Sequence, residues 1–510
     1  MADGIAAAAA EEFLQLVRSK DAERIAEFAE SHLWTLFNCA YPDLVAAVSA
    51  LPGGVLASYP ALQLLHPLIP SAARTTHRME SEQFQKYRGS KTIDPLLALS
   101  LQIISLRING QISLAHHRAL TLQEQLGRHP LASHSALESP LWFYHHLVGS
   151  TMFMAGNTAG ALGEFASARQ IGQSLESLDA RYSSMAREAL IHALRGSSTE
   201  AEKIIDQLRE LPEPSEAFRQ AASGSIDCAK ALISLHRLDA DLPAMVDALA
   251  PLDAVDVVWP ALLLIRTRSA LAKNQPHQAL EAVSIAAAAH PLDPHSLAYD
   301  AAVSAQIEAC LLLGSVEQAE QIAQEAKTAG AYTRVALIWL AVVQGKFKKA
   351  RERSKALAAE IKLSPYHRVE LQLLAAWSEY LQLGRVCEGT WNSVAPFFTT
   401  ENRELLSLFP QQFHDQLKNA ASSGERAEIT RVLEGLELRK PISQVPRLTA
   451  AEARVLQQLA TENSHSQMAE TLGISPNTLK TQIRQVYRKL NATSRPEAVI
   501  TGSRLGLVRE

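Results

Sequence analysis

Only four cysteines occur in 510 residues, at Cys39, Cys228, Cys310 and Cys387, and no two share the short spacing of a zinc site or redox pair. A disulfide framework and a cysteine metal centre are not expected, and the thiols are expected to be buried and reduced. Aromatic residues make up 6% of the chain. Trp142, Phe143, Trp339 and Trp377 fall in apolar helical stretches, where core packing is their expected use. The longest wholly apolar run, Val335 to Val343, is nine residues, whereas a bilayer-spanning helix takes about 20. The start, Met1-Ala2-Asp3-Gly4, lacks a basic segment, and the Ala6 to Ala10 run leads straight into Glu11-Glu12. No signal peptide is read there, no membrane partner is expected, and a bacterial cytoplasm is the expected location.

Catalytic patterns are equally scarce. Neither His-Glu-x-x-His nor Gly-x-Ser-x-Gly appears, and the pairs His116-His117 and His145-His146 are adjacent, so on a helix they point in different directions and make poor ligand sets. Gly89-Ser90-Lys91-Thr92 comes nearest to a phosphate loop. Such a loop needs glycine directly before the lysine and another five residues earlier, where this chain has Ser90 and Gln85. We therefore expect a surface loop at 89–92, no enzyme, no metal and no cofactor. The amino-terminal region does not alternate strands with helices, so a receiver domain is not expected either.

Charge is distributed unevenly. Residues 441–510 carry nine Lys/Arg against five Asp/Glu, leaving 40 against 48 for the first 440 residues, so a basic tail follows an acidic body. Between them, residues 439–447 hold two prolines and no apolar periodicity, as a linker would.

The tail reads as four capped helices. Thr449-x-x-Glu452, Ser464-x-x-Gln467 and Ser494-x-x-Glu497 are capping boxes. The first helix should bury Val455, Leu456 and Leu459, and the second Met468, Ala469 and Leu472 before Gly473 ends it in the left-handed geometry glycine permits. Ala469 leaves room for two helices to cross closely through a tight turn. The third helix has Ser475 as N-cap and Pro476 at its first position, and runs to Leu490. Leu479, Ile483, Val486 and Leu490 share one stripe. Opposite them lie Asn477, Lys480, Thr481, Arg484 and Arg488, with Lys489 on the flank, and no acidic residue occurs between Thr471 and Pro496. A helix that only needs to stay soluble usually mixes both signs, so this one-sided face points to nucleic acid.

These residues also carry a family resemblance. Leu448-Thr449-x-x-Glu452, Met468-Ala469-x-x-Leu472-x-Ile474-Ser475, Thr478-Leu479-Lys480, Lys489-Leu490, Arg495-x-Glu497-Ala498-Val499 and Leu505-Gly506-Leu507 resemble the LuxR-type helix-turn-helix of bacterial transcription regulators over about sixty residues. The resemblance implies that Lys480, Thr481 and Arg484 reach base edges in the major groove of double-stranded DNA, while Thr478, Gln482 and Arg488 hold phosphates, with Asn477 on the same face. Two positions depart from the family's habit: Ala451 stands where arginine is frequent and Gln482 where histidine is. It further implies a homodimer on DNA, joined through the fourth helix at about Pro496 to Leu505, and RNA polymerase as a partner.

Residues 1–438 are rich in Ala and Leu and poor in alternating β-branched runs, so this part should be helical. A turn residue followed five positions later by alanine recurs at Gly110/Ala115, Gly156/Ala161, Gly196/Ala201, Asp239/Ala244, Asn274/Ala279, Gly314/Ala319 and Gly345/Ala350, and Gly384/Gly389 extends the series. The intervals are those of a two-helix repeat. Gly149, Met152, Gly156, Ala161, Phe165 and Ala168 resemble a tetratricopeptide repeat, with Asn274, Ala279, Val283, Ala286 and Pro291 a second copy. The segment from Trp34 to Leu65, including Leu51-Pro52 and Pro60-Ala61-Leu62, looks like the start of the array.

The expected fold is thus all-α: a helical-repeat superhelix at 1–438, a linker at 439–447 and a four-helix DNA-binding domain at 448–510. Together the parts resemble the large MalT-like regulators, whose repeats act as the sensor; the ATPase module those carry ahead of the repeats is not found here. The resemblance implies a transcriptional activator whose repeats bind a small-molecule or protein effector of unknown identity. A repeat scaffold tethered to DNA by its tail is the alternative.

Overall fold

A computed structural model describes residues 2–59, 62, 95–128, 141–214, 216–249, 257–439, 446, 448–461, 463–490, 492–505 and 507–508. Among these, every regular element is helical and no strand occurs. The 89–92 loop lies outside the described residues, as do Pro60, Ala61, residues 63–65 and Gly506. By contacts, the chain forms two compact units. One comprises Met1–Ser234, Asp239–Ile265 and Ala287–Tyr299; the other comprises Leu235–Leu238, Arg266–Ala286 and Asp300–Glu510.

In the first unit the helices Leu141–Met154, Thr158–Ser174, Leu178–Leu194 and Ser198–Arg209 each pack on their neighbour in sequence, the nearest-neighbour order of a solenoid. The turn that repeats along the chain explains why. After each of seven helices one residue takes positive φ: Gly110, Gly156, Gly196, Leu238, Asn274, Gly314 and Gly345. The next N–H then reaches back five residues, as Asn157 donates to Met152 O at 2.8 Å and Lys346 to Ala341 O at 2.8 Å. This closes the orphan carbonyls of the helix end and reverses the chain. Glycine or asparagine takes that conformation at little cost, whereas Leu238 bears about 1–2 kcal/mol of steric penalty.

Six of the seven alanines expected to sit beneath the turns are buried, but Ala244 is exposed. At that turn Leu238, not Asp239, is the left-handed residue, and the short helix Leu242–Ala248 opens on Pro243 with Leu242 turned inward. The register is therefore offset there. Gly149 has its own reason: a Cβ at this position would come within 3.1 Å of the Phe165 ring, so the missing side chain admits the phenyl group between neighbouring helices. Trp142, Trp339 and Trp377 are buried, as expected of core residues. The thiols divide: Cys228 and Cys310 are buried, but Cys39 and Cys387 are exposed. Cys387 sits at a turn rather than on a packed face, where its sulfur caps the helix Glu388–Val394 by accepting from Thr390 N–H at 3.4 Å.

The second unit has an ionic core. Arg268 donates through Nε to Glu404 Oε1 at 2.7 Å, and its Nη1 lies 3.8 Å from Glu308 and 3.9 Å from Glu370. Tyr366 Oη donates to Glu404 at 3.0 Å, and Trp339 Nε1 donates to Glu370 at 3.3 Å. All of these side chains are buried. Of the residues read as linker, only Arg439 and Pro446 are described. Arg439 is buried too, with its guanidinium 4.9 Å from the Trp339 ring centre.

Burial pushes the Glu370 carboxyl up to about 7 against the opposing pull of Arg268. The sign of the consequence is fixed by linkage. Between the ordinary carboxylate range and pH 7 the folded state holds the proton that the unfolded state releases, so stability falls as pH rises through that window. Glu370→Gln, which mimics the protonated acid, should match the native chain near pH 5 and exceed its stability at pH 8 by about 1–3 kcal/mol. Urea midpoints at the two pH values measure this; a difference independent of pH would remove the protonation argument.

Candidate nucleic-acid interface

The tail folds as its caps direct. Thr449 Oγ1 accepts from Glu452 N–H at 3.2 Å while Glu452 Oε2 accepts from Thr449 N–H at 2.6 Å, and Ser464 and Gln467 repeat the exchange at the next helix. The resulting helices are Ala450–Leu459 and His465–Leu472. Gly473, at φ 64°, ends the second, and Ile474 N–H donates back to Ala469 O at 3.0 Å. The third helix, Pro476–Leu490, begins where Thr478 N–H donates to Ser475 Oγ at 3.1 Å. The third capping box is only partly formed. Ser494 caps Glu497 N–H at 3.3 Å, but Glu497 reaches past it to Thr493, accepting from its N–H and hydroxyl at 2.7 Å each.

Val455, Leu456, Leu459, Met468, Ala469, Leu479, Ile483, Val486 and Leu490 are all buried, whereas Leu472 is half-buried. They form a core whose outer side is the candidate interface. Asn477, Thr478, Lys480, Thr481, Arg484 and Arg488 are exposed, and Gln482 is half-buried. From Asn477 to Arg488 the stripe extends about 16 Å along the helix axis. Thr481 already donates its hydroxyl hydrogen to Asn477 O at 3.0 Å, which leaves its lone pairs and methyl for a partner. Thr478 is tied to Ser475, the hydroxyl oxygens 2.8 Å apart.

Lys489, on the flank of that face, is turned inward. Its Nζ donates to Glu452 Oε2 at 2.6 Å, linking the third helix to the cap of the first. The Lys489 ammonium, and then the Thr449 N–H, hold the Glu452 carboxyl below the usual range. The cation therefore positions the third helix instead of extending its exposed stripe.

Arg495 has a structural role that spacing could not reveal. Its Nε donates to Leu459 O at 2.9 Å, Nη1 to Asn463 O at 2.9 Å, and Nη2 to Thr461 O. One guanidinium thus closes the carboxyl end of the first helix and the loop after it, pinning both to the fourth helix, Arg495–Arg504. Arg495→Met keeps the stem and removes these bonds. It should destabilise this domain by about 1–3 kcal/mol, read from its thermal unfolding transition. An unchanged transition would mean water replaces the guanidinium without loss.

Such an arrangement, two helices crossing through a glycine turn with an exposed acid-free face on the second, presents side chains to a groove. Residues 446–501 match the family described as bacterial regulatory proteins, luxR family. These residues are a luxR-family helix-turn-helix domain. A 97-residue stretch of the chain is 35% identical to the HTH-type transcriptional activator RamA of Corynebacterium glutamicum. That match covers 18% of this chain and 34% of the relative, so it spans about a third of the relative's length. The luxR-family fourth helix packs against the helix Val316–Glu325 within the same compact unit, while Ile500 on it remains exposed. Among the described residues, no helix is long and apolar enough to cross a membrane.

Proposed function

We propose that the protein is a sequence-specific DNA-binding transcriptional regulator, an activator, whose helical repeats sense an effector or a partner protein and govern the tail. The observation that carries the DNA-binding part is the exposed face of Pro476–Leu490, acid-free and braced from behind by a packed core, in a domain of luxR-family sequence. Lys480, Thr481 and Arg484 take the base edges. Thr478, Gln482 and Arg488 take phosphates, and Asn477 lies at the leading end of the same face. The activating sense follows the related activator, and with it RNA polymerase as a partner.

The domain division in this reading is 1–438, 439–447 and 448–510. One module of this size covers few base pairs, so two copies on paired half-sites are proposed, with the exposed Ile500 side of the fourth helix at the contact. The test is genome-wide occupancy of the intact protein beside a Lys480→Ala, Arg484→Ala double variant. Discrete sites lost in the variant support the reading; sites that survive it assign specificity elsewhere.

A further inference from the structure

One helix of the second unit runs against the acidic balance of the first 440 residues. Phe347–Ala358 carries Lys348, Lys349, Arg351, Arg353 and Lys355 with a single acid, Glu352. Ala350 and Leu357 form its buried side, and Arg353 turns toward the body, donating through Nη1 to Leu337 O at 3.0 Å. Lys348, Arg351 and Lys355 recur at intervals of three and four, so they share one stripe about 10 Å long. All three are exposed, as are Lys349 at the edge of the stripe and Glu352 within it.

Several exposed cations elsewhere have an acid one turn away: Lys203 pairs with Glu200 at 2.8 Å, Arg209 with Asp206 at 2.8 Å and Arg431 with Glu428 at 2.5 Å. Among the described residues, Lys348, Lys349, Arg351 and Lys355 have neither an ion pair nor a hydrogen bond. Of the acids flanking the helix, Glu320 is held by Lys346 at 3.4 Å and Glu360 by Arg334 at 2.6 Å. Like charges at this spacing repel one another, and a polyanion relieves that repulsion. A bilayer surface fits poorly, because the apolar side of the helix is already packed against the body.

Position favours DNA. The Lys346–Glu320 pair sets the start of this helix beside Val316–Glu325, and the fourth helix of the luxR-family domain packs on Val316–Glu325 within the same compact unit. A Cβ at Gly314, in the turn before Val316, would lie 3.8 Å from the Arg504 guanidinium. Neighbouring helices pack about 8–10 Å apart. Two such steps come to about 20 Å, less than one turn of duplex at about 34 Å. A duplex bound at the tail and continuing for one further turn spans that distance.

We propose that the exposed side of Phe347–Ala358 is a second DNA contact, in which Lys348, Arg351 and Lys355 hold backbone phosphates of the duplex that the tail binds. It rests on the reading above that the tail binds DNA, and it adds affinity without adding sequence selectivity.

The test is titration of the full-length protein against a labelled mixed-sequence duplex of about four helical turns, followed by fluorescence anisotropy between about 50 and 200 mM salt. The triple variant Lys348→Gln, Arg351→Gln, Lys355→Gln is compared with the native chain and with a charge-matched control, Lys203→Gln, Arg209→Gln, Lys230→Gln. The stripe variant should keep the native thermal transition and bind about tenfold more weakly or worse at the lower salt. Its slope of log affinity against log salt should be shallower by about 2.7, which is about 0.9 for each of three phosphate contacts. The control should match the native chain. Unchanged binding by the stripe variant, or an equal loss in the control, would overturn the proposal. Lys480→Ala, Arg484→Ala tells the two readings apart. If it binds as the native chain does while the stripe variant does not, the reading of the tail fails and the basic helix stands. If it alone loses affinity, the basic helix fails and the reading of the tail stands. A native chain that binds no DNA ends both.

Discussion

Replacing Lys480 and Arg484 together by alanine is expected to weaken binding to specific sites by roughly 30- to 10⁴-fold, because each well-placed base contact discriminates by about 1–3 kcal/mol. Both side chains are exposed on the free face of the recognition helix, and neither belongs to the core, so the variant should fold as the native chain does. Titrations on specific and scrambled duplexes at several salt concentrations separate the contributions. Loss confined to the specific duplex identifies base reading. A uniform loss, with the salt slope reduced by about 0.9 for each phosphate contact removed, identifies backbone contacts instead. No loss on either duplex would withdraw both residues from the interface.

Arg268→Met is expected to cost the second unit about 3–5 kcal/mol. The substitution keeps much of the volume but removes the cation from among Glu308, Glu370 and Glu404, each buried and too far inside for water to replace it. Stability loss from a stranded carboxylate is relieved when it takes up a proton, so the deficit should be largest at pH 8 and shrink towards pH 5. Thermal or urea unfolding across that range measures it. A deficit that is small or flat with pH would mean that Arg439, whose Nη2 already lies 3.7 Å from Glu308, moves over to satisfy the acids. Tyr366 adds to the argument, since its hydroxyl donates to the same Glu404 that Arg268 holds.

What the sequence by itself determined is local. Caps at Thr449 and Ser464, the proline-started helix at 476, the apolar stripe from Leu479 to Leu490 and the recurring left-handed turns all depend on residues near one another in the chain, eleven positions apart at most. The physics that decides them is a backbone bond, a φ angle or one helical face. Even the exceptions are local: Leu238 takes the turn expected at Asp239, and Glu497 reaches Thr493 instead of closing its box.

Only the tertiary structure decided where long charged side chains end. Lys489 looked like part of the basic flank and braces Glu452; Arg495 was one family-matching letter and gathers three carbonyls; Arg439 was read at the head of a linker and lies buried. Arg268, Glu308, Glu370 and Glu404 are spread over separate helices, and no spacing in the sequence ties them together. A flexible side chain several bonds long can point to water or to a partner far away in sequence. Which it does depends on desolvation against pairing in the assembled fold, a balance that no local pattern records.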